Sequence, residues 1–349
     1  MTHRLQMSSS AMARALRRSL LVLAASAMAL LNGCAADVPQ TTISPKTEAA
    51  WMIQDLYVPT FWISVVVFVL VEVGLLAIIA KYRYREGAPL PKQTHGHNVL
   101  EVAWTIVPFV ILLVLAIPTI NTIFALESEP PTKDYMTVEV VGKQWWWEFT
   151  YPGQKIVTAN ELVLPAGKTV YLKIRSTDVI HSFWIPQLMG KQDAFDGRET
   201  TMWFTPTQTG QYWGQCVEYC GAQHALMRMS AIVVAPAEFD AWVARNQKPA
   251  VPTTDLAKKG EEVFSKNACL GCHTIQGTSA AGKVGPDLSH FGSRTTVGAG
   301  ILPNTRENLT RWVSDPQGVK PSNHPNKMPN LNLAPDEVEA VVEYLHSLK

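Results

Sequence analysis

Apolar and polar residues alternate along this chain in ways that change from region to region. Near the N-terminus, 20–31 is an apolar run, and two longer apolar stretches follow at 60–80 and 102–123. The first of these holds a single charged residue, Glu72, and the second holds none. Stretches of 21 and 22 such residues are long enough to cross a bilayer as helices. The pattern therefore predicts a two-helix transmembrane hairpin.

The middle of the chain, from Tyr135 to Val234, changes to short β-prone runs separated by Gly and Pro. This spacing predicts an all-β sandwich or barrel. An aromatic run at 144–149 would place alternate rings on opposite faces of one strand. The other predicted strands are 136–141, 161–164, 169–174, 200–204, 212–214 and 229–234.

The last part of the chain has helical periodicity. An extended linker is predicted at 246–254, which contains Pro249 and Pro252. Helices are predicted at 255–266, at 308–313 and from Pro335 onward. The last of these has apolar residues at i, i+3, i+4 and i+7, namely Val338, Val341, Val342 and Leu345. We therefore expect an all-α domain at 255–349.

Composition supports a multi-domain membrane protein. The chain has 349 residues, of which 47% are hydrophobic and only 17% charged. Its net charge is +1, and the first 33 residues hold four arginines and no acid, so their removal lowers the net charge by four, to −3. That balance gives no support to a nucleic-acid partner.

The N-terminal 33 residues have the pattern of an export signal, with arginines before the apolar run and the sequence Leu-Asn-Gly-Cys ending at Cys34. This ending resembles a bacterial lipoprotein box, which implies lipidation of Cys34. An ordinary signal peptide or an uncleaved anchor would also fit, with Cys34 as a small apolar residue. We set the remaining boundaries at 34–125 for the N-terminal segment and hairpin, 126–245 for the β domain and 246–254 for the linker.

Basic residues between the two apolar stretches predict the membrane orientation. Lys81, Arg83, Arg85 and Lys92 lie in this short loop. By the positive-inside rule the loop is cytoplasmic, so both termini and the domains after the hairpin face outward. We therefore expect a multi-pass protein of a bacterial inner membrane, in contact with lipid, with its large domains on the periplasmic side.

A first cluster of candidate metal ligands follows the predicted strand 212–214. Cys216, Cys220, His224 and Met227 fall within twelve residues, and counting histidines leaves His181 as the second imidazole of this region. Thiolates with imidazoles select copper or zinc over hard cations. One tetrahedral zinc would have a ligand too many, whereas two metal ions sharing both thiolates would use all five. A Cys216–Cys220 disulfide and a zinc site are the alternatives.

These residues, with Glu218 between the cysteines and Asp178 ahead of His181, resemble the CuA domain of cytochrome oxidase subunit II. The resemblance implies a cupredoxin-like Greek-key fold and a dinuclear copper centre that transfers electrons. It implies that Cys216 and Cys220 bridge two coppers, each completed by His181 or His224. Weak ligands would be Met227 and the carbonyl of Glu218, whose side chain would also bind a magnesium ion. Met229 is a rival to Met227, but its place beside a strand favours packing.

Two further residues carry roles by the same resemblance. Trp145 corresponds to the electron-entry residue beside the copper centre, whereas Trp146 or Trp147 would serve equally well as core. The sequence from Asn98 to Pro108 resembles the opening of the family's second membrane helix. Glu101 would then lie at the cytoplasmic mouth of a proton path in subunit I, and a solvated interfacial acid is the alternative.

The sequence Cys269-Leu-Gly-Cys272-His273 is the c-type haem attachment signature. The two thiols bond covalently to haem, and His273 becomes an axial ligand of the iron. Met328 is the only methionine after Cys269, so no other thioether can be the sixth ligand. The rival ligands, expected to be surface histidines, are His290, His324 and His346. Zinc on the Cys and His residues is a further alternative, but the region resembles a class I cytochrome c, in which the Pro286 carbonyl orients the histidine.

Taken together, the hairpin, the CuA-like domain and the cytochrome resemble subunit II of caa-type oxidases. This implies electron flow from cytochrome c or a cytochrome bc complex, through haem c and copper, to subunit I, which reduces O2 to water and pumps protons, with subunit III as a further partner. No catalytic residue is expected in this chain. Two alternatives are a subunit of a CuA-dependent nitric oxide reductase and a stand-alone membrane electron carrier. A quinol oxidase subunit is disfavoured because it would not need copper ligands. A nitrous oxide reductase is disfavoured because it would need a larger chain.

Overall fold

The structure is a computed structural model, and it describes residues 39–349 other than 85, 88, 90, 91, 94 and 324–326, together with 17, 18, 21, 22, 25 and 26. Cys34 and most of the predicted signal lie outside the described residues. The described chain forms a helical hairpin, a β-sandwich and a small helical domain, which confirms the predicted fold class.

The hairpin consists of α1 (Glu48–Lys81) and α2 (Asn98–Glu127). Both helices are long and apolar enough to cross a membrane. They extend beyond the predicted 60–80 and 102–123 because polar residues cap them outside the apolar stretches. Thr47 accepts a hydrogen bond from the backbone N–H of Ala50 at the start of α1, and His97 accepts one from Leu100 at the start of α2.

The N-terminal end of α1 is bonded to the sandwich. The Thr47 hydroxyl donates to the carbonyl of Leu188 at 2.5 Å, and the Glu48 carboxylate accepts from the backbone N–H of Thr205 at 3.0 Å. The hairpin therefore ends on the β domain through specific polar contacts as well as through the chain connection.

The sandwich contains ten strands in two five-stranded sheets, in the orders β3-β2-β1-β5-β8 and β4-β10-β9-β6-β7. Inward-facing apolar residues of both sheets form one core, which includes Val138, Trp147, Phe149, Leu172 and Phe183. The strands are β1 (Tyr135–Lys143), β2 (Trp146–Tyr151), β3 (Ile156–Ala159), β4 (Glu161–Pro165), β5 (Thr169–Ser176), β6 (His181–Trp184), β7 (Gln192–Ala194), β8 (Thr200–Phe204), β9 (Gly210–Cys216) and β10 (Arg228–Val234).

Several elements of this domain were not predicted. Strands β3, β6 and β7 have only three or four residues each, too few to show alternation in the sequence. Helix α3 (Pro236–Asn246) occupies the end of the predicted β domain. It begins with a proline at its first turn, a placement that suits a helix start.

The C-terminal domain is built around two crossing helices, α4 (Asp255–Lys266) and α8 (Pro335–Ser347). Gly260 allows the close crossing, because a Cβ there would lie 2.0 Å from the carbonyl oxygen of Ala340. The remaining elements are α5 (Cys269–Cys272), β11 (Thr296–Val297), β12 (Leu302–Pro303), α6 (Arg306–Ser314) and α7 (Pro316–Val319). The short hairpin β11–β12 is an addition to the predicted helices.

Candidate copper and haem sites

The sheet brings the candidate copper ligands together. Strands β6 and β9 are neighbours, with Phe183 paired to Cys216, so His181 at the start of β6 lies beside the end of β9. The loop from Cys216 to the start of β10 carries the other candidates. His181, Cys216, Cys220 and Met227 are buried, and His224 is half-buried.

The candidate donor atoms face one another. The two cysteine Sγ atoms are 3.7 Å apart, well beyond the ~2.05 Å of a disulfide bond. Nδ1 of His181 lies 3.9 Å from the sulfur of Cys216, and Nδ1 of His224 lies 3.6 Å from the sulfur of Cys220. The Met227 sulfur is 3.9 Å from Cys220, and the Glu218 carbonyl is 3.3 Å from Cys216. Each thiol thus faces one imidazole, and both cysteines are free.

This donor set fits a soft metal pair. The ligand atoms of His181, Cys216 and Cys220 all lie within 4.8 Å of one another, in a buried position. Two thiols, two imidazoles, a thioether and a carbonyl are more donors than one tetrahedral zinc ion takes. Glu218, whose carbonyl faces the cluster, is itself exposed.

Hydrogen bonding orients the histidine and prepares the thiols. Nε2 of His181 lies 2.8 Å from the Asp178 carboxylate, which leaves Nδ1 facing the sulfur. Although burial alone would raise it, hydrogen bonds from His181 and from backbone N–H groups lower the pKa of Asp178 to about 2. A hydrogen bond from Cys220 lowers the pKa of Cys216 to about 3 and raises the pKa of Cys220. One thiol of the pair is therefore ready to bind a cation as thiolate.

Trp145 lies directly against the copper loop. Its indole N–H donates to the carbonyl of Cys220 at 3.0 Å, and the Gln144 side chain donates to the same oxygen at 2.8 Å. Trp145 precedes β2 and is half-buried, whereas Trp146 and Trp147 are buried. The three tryptophans thus separate into two buried residues and one residue that contacts a candidate ligand.

The attachment signature opens onto a mostly apolar cleft whose wall comes mainly from the C-terminal domain. Cys269, Cys272, His273 and Met328 all line this cleft. The wall is mostly apolar, with Phe264, Leu288, Phe291, Leu309, Val341 and Leu345 among its members. An apolar space with two thiols, one imidazole and one thioether at its wall fits a covalently bound haem.

The candidate iron ligand His273 is held in one orientation. Its Nδ1 donates to the carbonyl of Pro286 at 2.7 Å, so Nε2 is left for a metal. Gly285 supports the ring from behind, since a Cβ there would lie 2.6 Å from the His273 ring. Burial lowers the pKa of His273, which favours the neutral form that binds iron.

Two of the rival histidines, His290 and His346, do not line the cleft, and His324 lies outside the described residues. The prediction that His290 is a surface residue was wrong: its side chain is buried at 8% exposure. His290 directly precedes Phe291, which belongs to the domain core. The local sequence pattern does not reveal this burial.

The haem cleft and the copper loop meet at Trp145, which also lines the cleft. From the C-terminal domain, Lys327 places its ammonium 5.9 Å from the Trp145 ring centroid, and Lys320 donates to the Trp145 carbonyl at 3.5 Å. Lys320 is only 3% exposed, and burial lowers its pKa to about 7. Sequence reasoning missed both lysines, because nothing in the local sequence marks a lysine that contacts another domain.

Glu101 lies in the first turn of α2, where its carboxylate accepts a hydrogen bond from the backbone N–H of His97 at 3.0 Å. This is a helix-capping contact. The structure thus brings the candidate copper ligands together at one site and the candidate haem ligands together at another, with Trp145 between the two sites. Glu101 belongs to neither site and lies in the hairpin.

Known proteins share these features in the same order. Three family models match the chain: cytochrome c oxidase subunit II transmembrane domain at 38–122, cytochrome c oxidase subunit II periplasmic domain at 153–235, and cytochrome c at 257–349. A cytochrome c oxidase subunit 2 of Alkalihalophilus pseudofirmus is 36% identical, over 91% of this chain and 94% of the relative. One of Bacillus subtilis is 35% identical, over 95% and 97%. A quinol oxidase subunit 2 of Bacillus subtilis is 30% identical, over 73% and 80%.

Proposed function

This chain belongs to the cytochrome c oxidase subunit II family, in a form with a C-terminal cytochrome c domain, and from that premise we propose a specific electron route. Electrons pass from an external donor to haem c, then to the dinuclear copper centre and on to subunit I. There, O2 is reduced to water and protons are pumped. The chain itself carries electrons and holds no catalytic residue.

The position of Trp145 carries this proposal. One face of its side chain lines the haem cleft, and its indole N–H bonds to the carbonyl of the candidate copper ligand Cys220. A single aromatic residue therefore links the two candidate redox sites. We assign Trp145 as the residue through which electrons enter the copper centre.

The cofactors are assigned by the donors that surround each space. Cys216 and Cys220 would bridge the copper pair, with His181, His224, Met227 and the Glu218 carbonyl as terminal ligands. Cys269 and Cys272 would bond to haem c, and His273 and Met328 would bind its iron. The copper pair and the haem each supply one-electron transfer, while the protein holds the ligands fixed. The exposed carboxylate of Glu218 is available to a magnesium ion at the surface of a neighbouring subunit.

The membrane setting completes the proposal. The basic residues between the two spans favour a cytoplasmic loop, so both redox domains face the periplasm and a donor there, such as cytochrome c or a cytochrome bc complex. The hairpin would pack against subunit I, with subunit III nearby, and Glu101 would lie at the cytoplasmic side. A lipid anchor at Cys34 would hold the N-terminus at the outer face.

The relatives also include a quinol oxidase subunit, and one observation separates the two roles. A subunit that receives electrons from quinol has no need for copper ligands, whereas all the candidate copper donors are present and converge here. The match of a cytochrome c family model at 257–349 points the same way.

The test is a measurement of haem-to-copper electron transfer in the purified complex. We expect a Trp145→Phe variant to keep its copper and haem but to transfer electrons at least ~10-fold more slowly, which corresponds to an activation barrier about 1.4 kcal/mol higher. Trp242→Phe, which changes a tryptophan packed on Tyr151 elsewhere in the sandwich, is the matched control. Unchanged transfer in Trp145→Phe, or purification without an oxygen-reducing subunit, would contradict the proposal.

A further inference from the structure

A buried carboxylate joins the two redox domains. Glu161 is the first residue of β4 in the sandwich and is only 4% exposed. Glutamate is seldom fully buried unless its charge is compensated. The buried Glu161 carboxylate therefore requires hydrogen-bond donors around it.

The hydrogen-bond donors to this carboxylate come from the cytochrome domain. Oε1 accepts from the backbone N–H of Thr295 at 2.9 Å and of Thr296 at 2.8 Å. It also accepts from both threonine hydroxyls at 2.8 Å, and Oε2 lies 3.1 Å from the Thr295 nitrogen. Hydrogen bonds to an ionised acceptor are stronger than those between neutral groups. The Glu161 carboxylate thus binds the start of β11 through these hydrogen bonds.

Neighbouring contacts extend the same face. Gln211 on β9 donates to the Thr295 hydroxyl at 3.1 Å, and the backbone N–H of Arg228 donates to the carbonyl of Ala299 at 3.1 Å. Gly300 fits closely here, because a Cβ would lie 3.1 Å from the Arg228 side chain. The cytochrome domain therefore docks on strands of the sandwich in one defined register.

The docked segment leads directly to the haem cleft. Arg294, next to Thr295, lines the cleft, as do Thr296, Val297 and Ala299. Burial lowers the pKa of Arg294, and the carboxylates of Asp287 and Glu161 oppose that effect. A shift of the Thr295–Thr296 segment would consequently move the wall of the cleft relative to Trp145.

We propose that Glu161 is a positioning residue that holds the cytochrome domain docked over Trp145, so that haem-to-copper transfer occurs within one fixed arrangement of the two domains. This inference rests on the electron route proposed above. The linker between α3 and α4 then only joins the two domains along the chain. The hydrogen bonds of Glu161 set the distance between the redox sites.

The experiment uses the complete oxidase complex with both cofactors loaded. Electrons are injected rapidly into the haem by a photoactivated reductant, and the haem-to-copper rate is followed optically in buffers of rising glycerol content. Glu161→Gln keeps the shape and removes the charge. Thr296→Val removes one donor from the other domain, and so remains informative where the first variant folds poorly.

In the unaltered protein we expect a rate that is independent of solvent viscosity. In Glu161→Gln we expect a fall of at least ~10-fold, as when the docked population drops to about a tenth. That variant should also slow further as viscosity rises, because the domain must now search for its docked position. Thr296→Val should show a smaller fall with the same viscosity dependence.

Matched controls separate docking from general damage. Glu199→Gln removes an exposed acid of the sandwich that pairs with Lys173, and Thr310→Val removes a hydroxyl that bonds within α6. Both should retain the unaltered rate, and all variants should retain haem and copper content. Unaltered, viscosity-independent rates in both Glu161→Gln and Thr296→Val would overturn the positioning role alone. Absence of haem-to-copper transfer in the unaltered protein would overturn the electron route, and the positioning role with it.

Discussion

The copper loop and the haem cleft solve the same task, binding a redox metal, in opposite ways. In the sandwich, the donor atoms of His181 on β6, Cys216 at the end of β9 and Cys220 in the following loop already lie within 4.8 Å of one another. In the cytochrome domain, the donors stand around a mostly apolar open cleft. One site is built by the fold, whereas the other needs its cofactor to complete the core.

The cause lies in how each region is held together. The sandwich has ten strands and one continuous core, most of which lies on the strands, while Cys216, Cys220 and Met227 add to it from the copper loop. The cytochrome domain relies on a few short helices, and several of its core residues, including Phe291, Leu309 and Leu345, also form the cleft wall. Apolar walls facing a large space lose their packing partners, and a cavity of this kind destabilises a domain.

The largest expected effect follows from removing each cofactor in turn. A Cys269→Ser, Cys272→Ser double variant cannot bond to haem, and we expect the cytochrome domain to lose its cooperative unfolding transition. The corresponding change in the sandwich, Cys216→Ser, should remove copper and leave that domain folded. Circular dichroism melts, with metal and haem analysis, would measure both.

These two variants control for each other, because each removes thiols from a single site. Survival of a sharp melting transition in the haem-free cytochrome domain would break the comparison. So would collapse of the sandwich in Cys216→Ser.

The sequence was more informative about ligands than about the surroundings that hold them. Cysteine, histidine and methionine are uncommon, so their spacing at 216–227 and 269–273 indicated which residues would come together, and counting histidines added His181. The buried positions of Glu161 and Lys320 could not be predicted this way. Their burial comes from contact between domains separated in sequence, and neither residue has a local pattern that differs from a surface glutamate or lysine.

Substitution of Met328 tests whether its thioether sets the reduction potential of the haem iron, as the ligand assignment requires. In Met328→Leu the covalent bonds and His273 remain, so haem should stay bound. Loss of a thioether ligand should lower the reduction potential by at least ~0.1 V, within the roughly 0.8 V range that axial ligands control. A redox titration measures this, and an unchanged potential would mean that another group binds the iron.

The two sites share one device, a glycine behind a histidine. A Cβ at Gly142 would lie 2.8 Å from the His181 ring, and a Cβ at Gly285 would lie 2.6 Å from the His273 ring. We expect Gly142→Ala and Gly285→Ala each to lower the free energy of unfolding of their domain by about 1–3 kcal/mol, the usual cost of overpacking. Each should also weaken the retention of its own metal group.

The sandwich offers a matched control, since a Cβ at Gly153 would meet nothing within 4 Å. Gly153→Ala should therefore leave stability and cofactor content unchanged. Equal effects in the paired and control variants would show that the glycines do not support the rings. An effect in Gly285→Ala alone would sharpen the comparison, because the preformed copper site would then be the more tolerant of the two.

The smallest expected effect concerns the framework behind the copper site. Tyr151 is buried on β2, in one sheet, and its hydroxyl donates to the carbonyl of Val163 at 3.0 Å and accepts from the N–H of Val163 at 2.8 Å, on β4 in the other sheet. Tyr151→Phe leaves both backbone groups without this partner and should lower the free energy of unfolding of the sandwich by about 1–2 kcal/mol. Copper content should not change, because the loop is anchored by β9 and β10 rather than by β2.

Tyr171→Phe, at a half-buried position beside Tyr135, is the control and should unfold at the unaltered denaturant concentration. Loss of copper in Tyr151→Phe would show that the site depends on the contact between the sheets, and the distinction between a preformed copper site and a cofactor-dependent haem site would narrow.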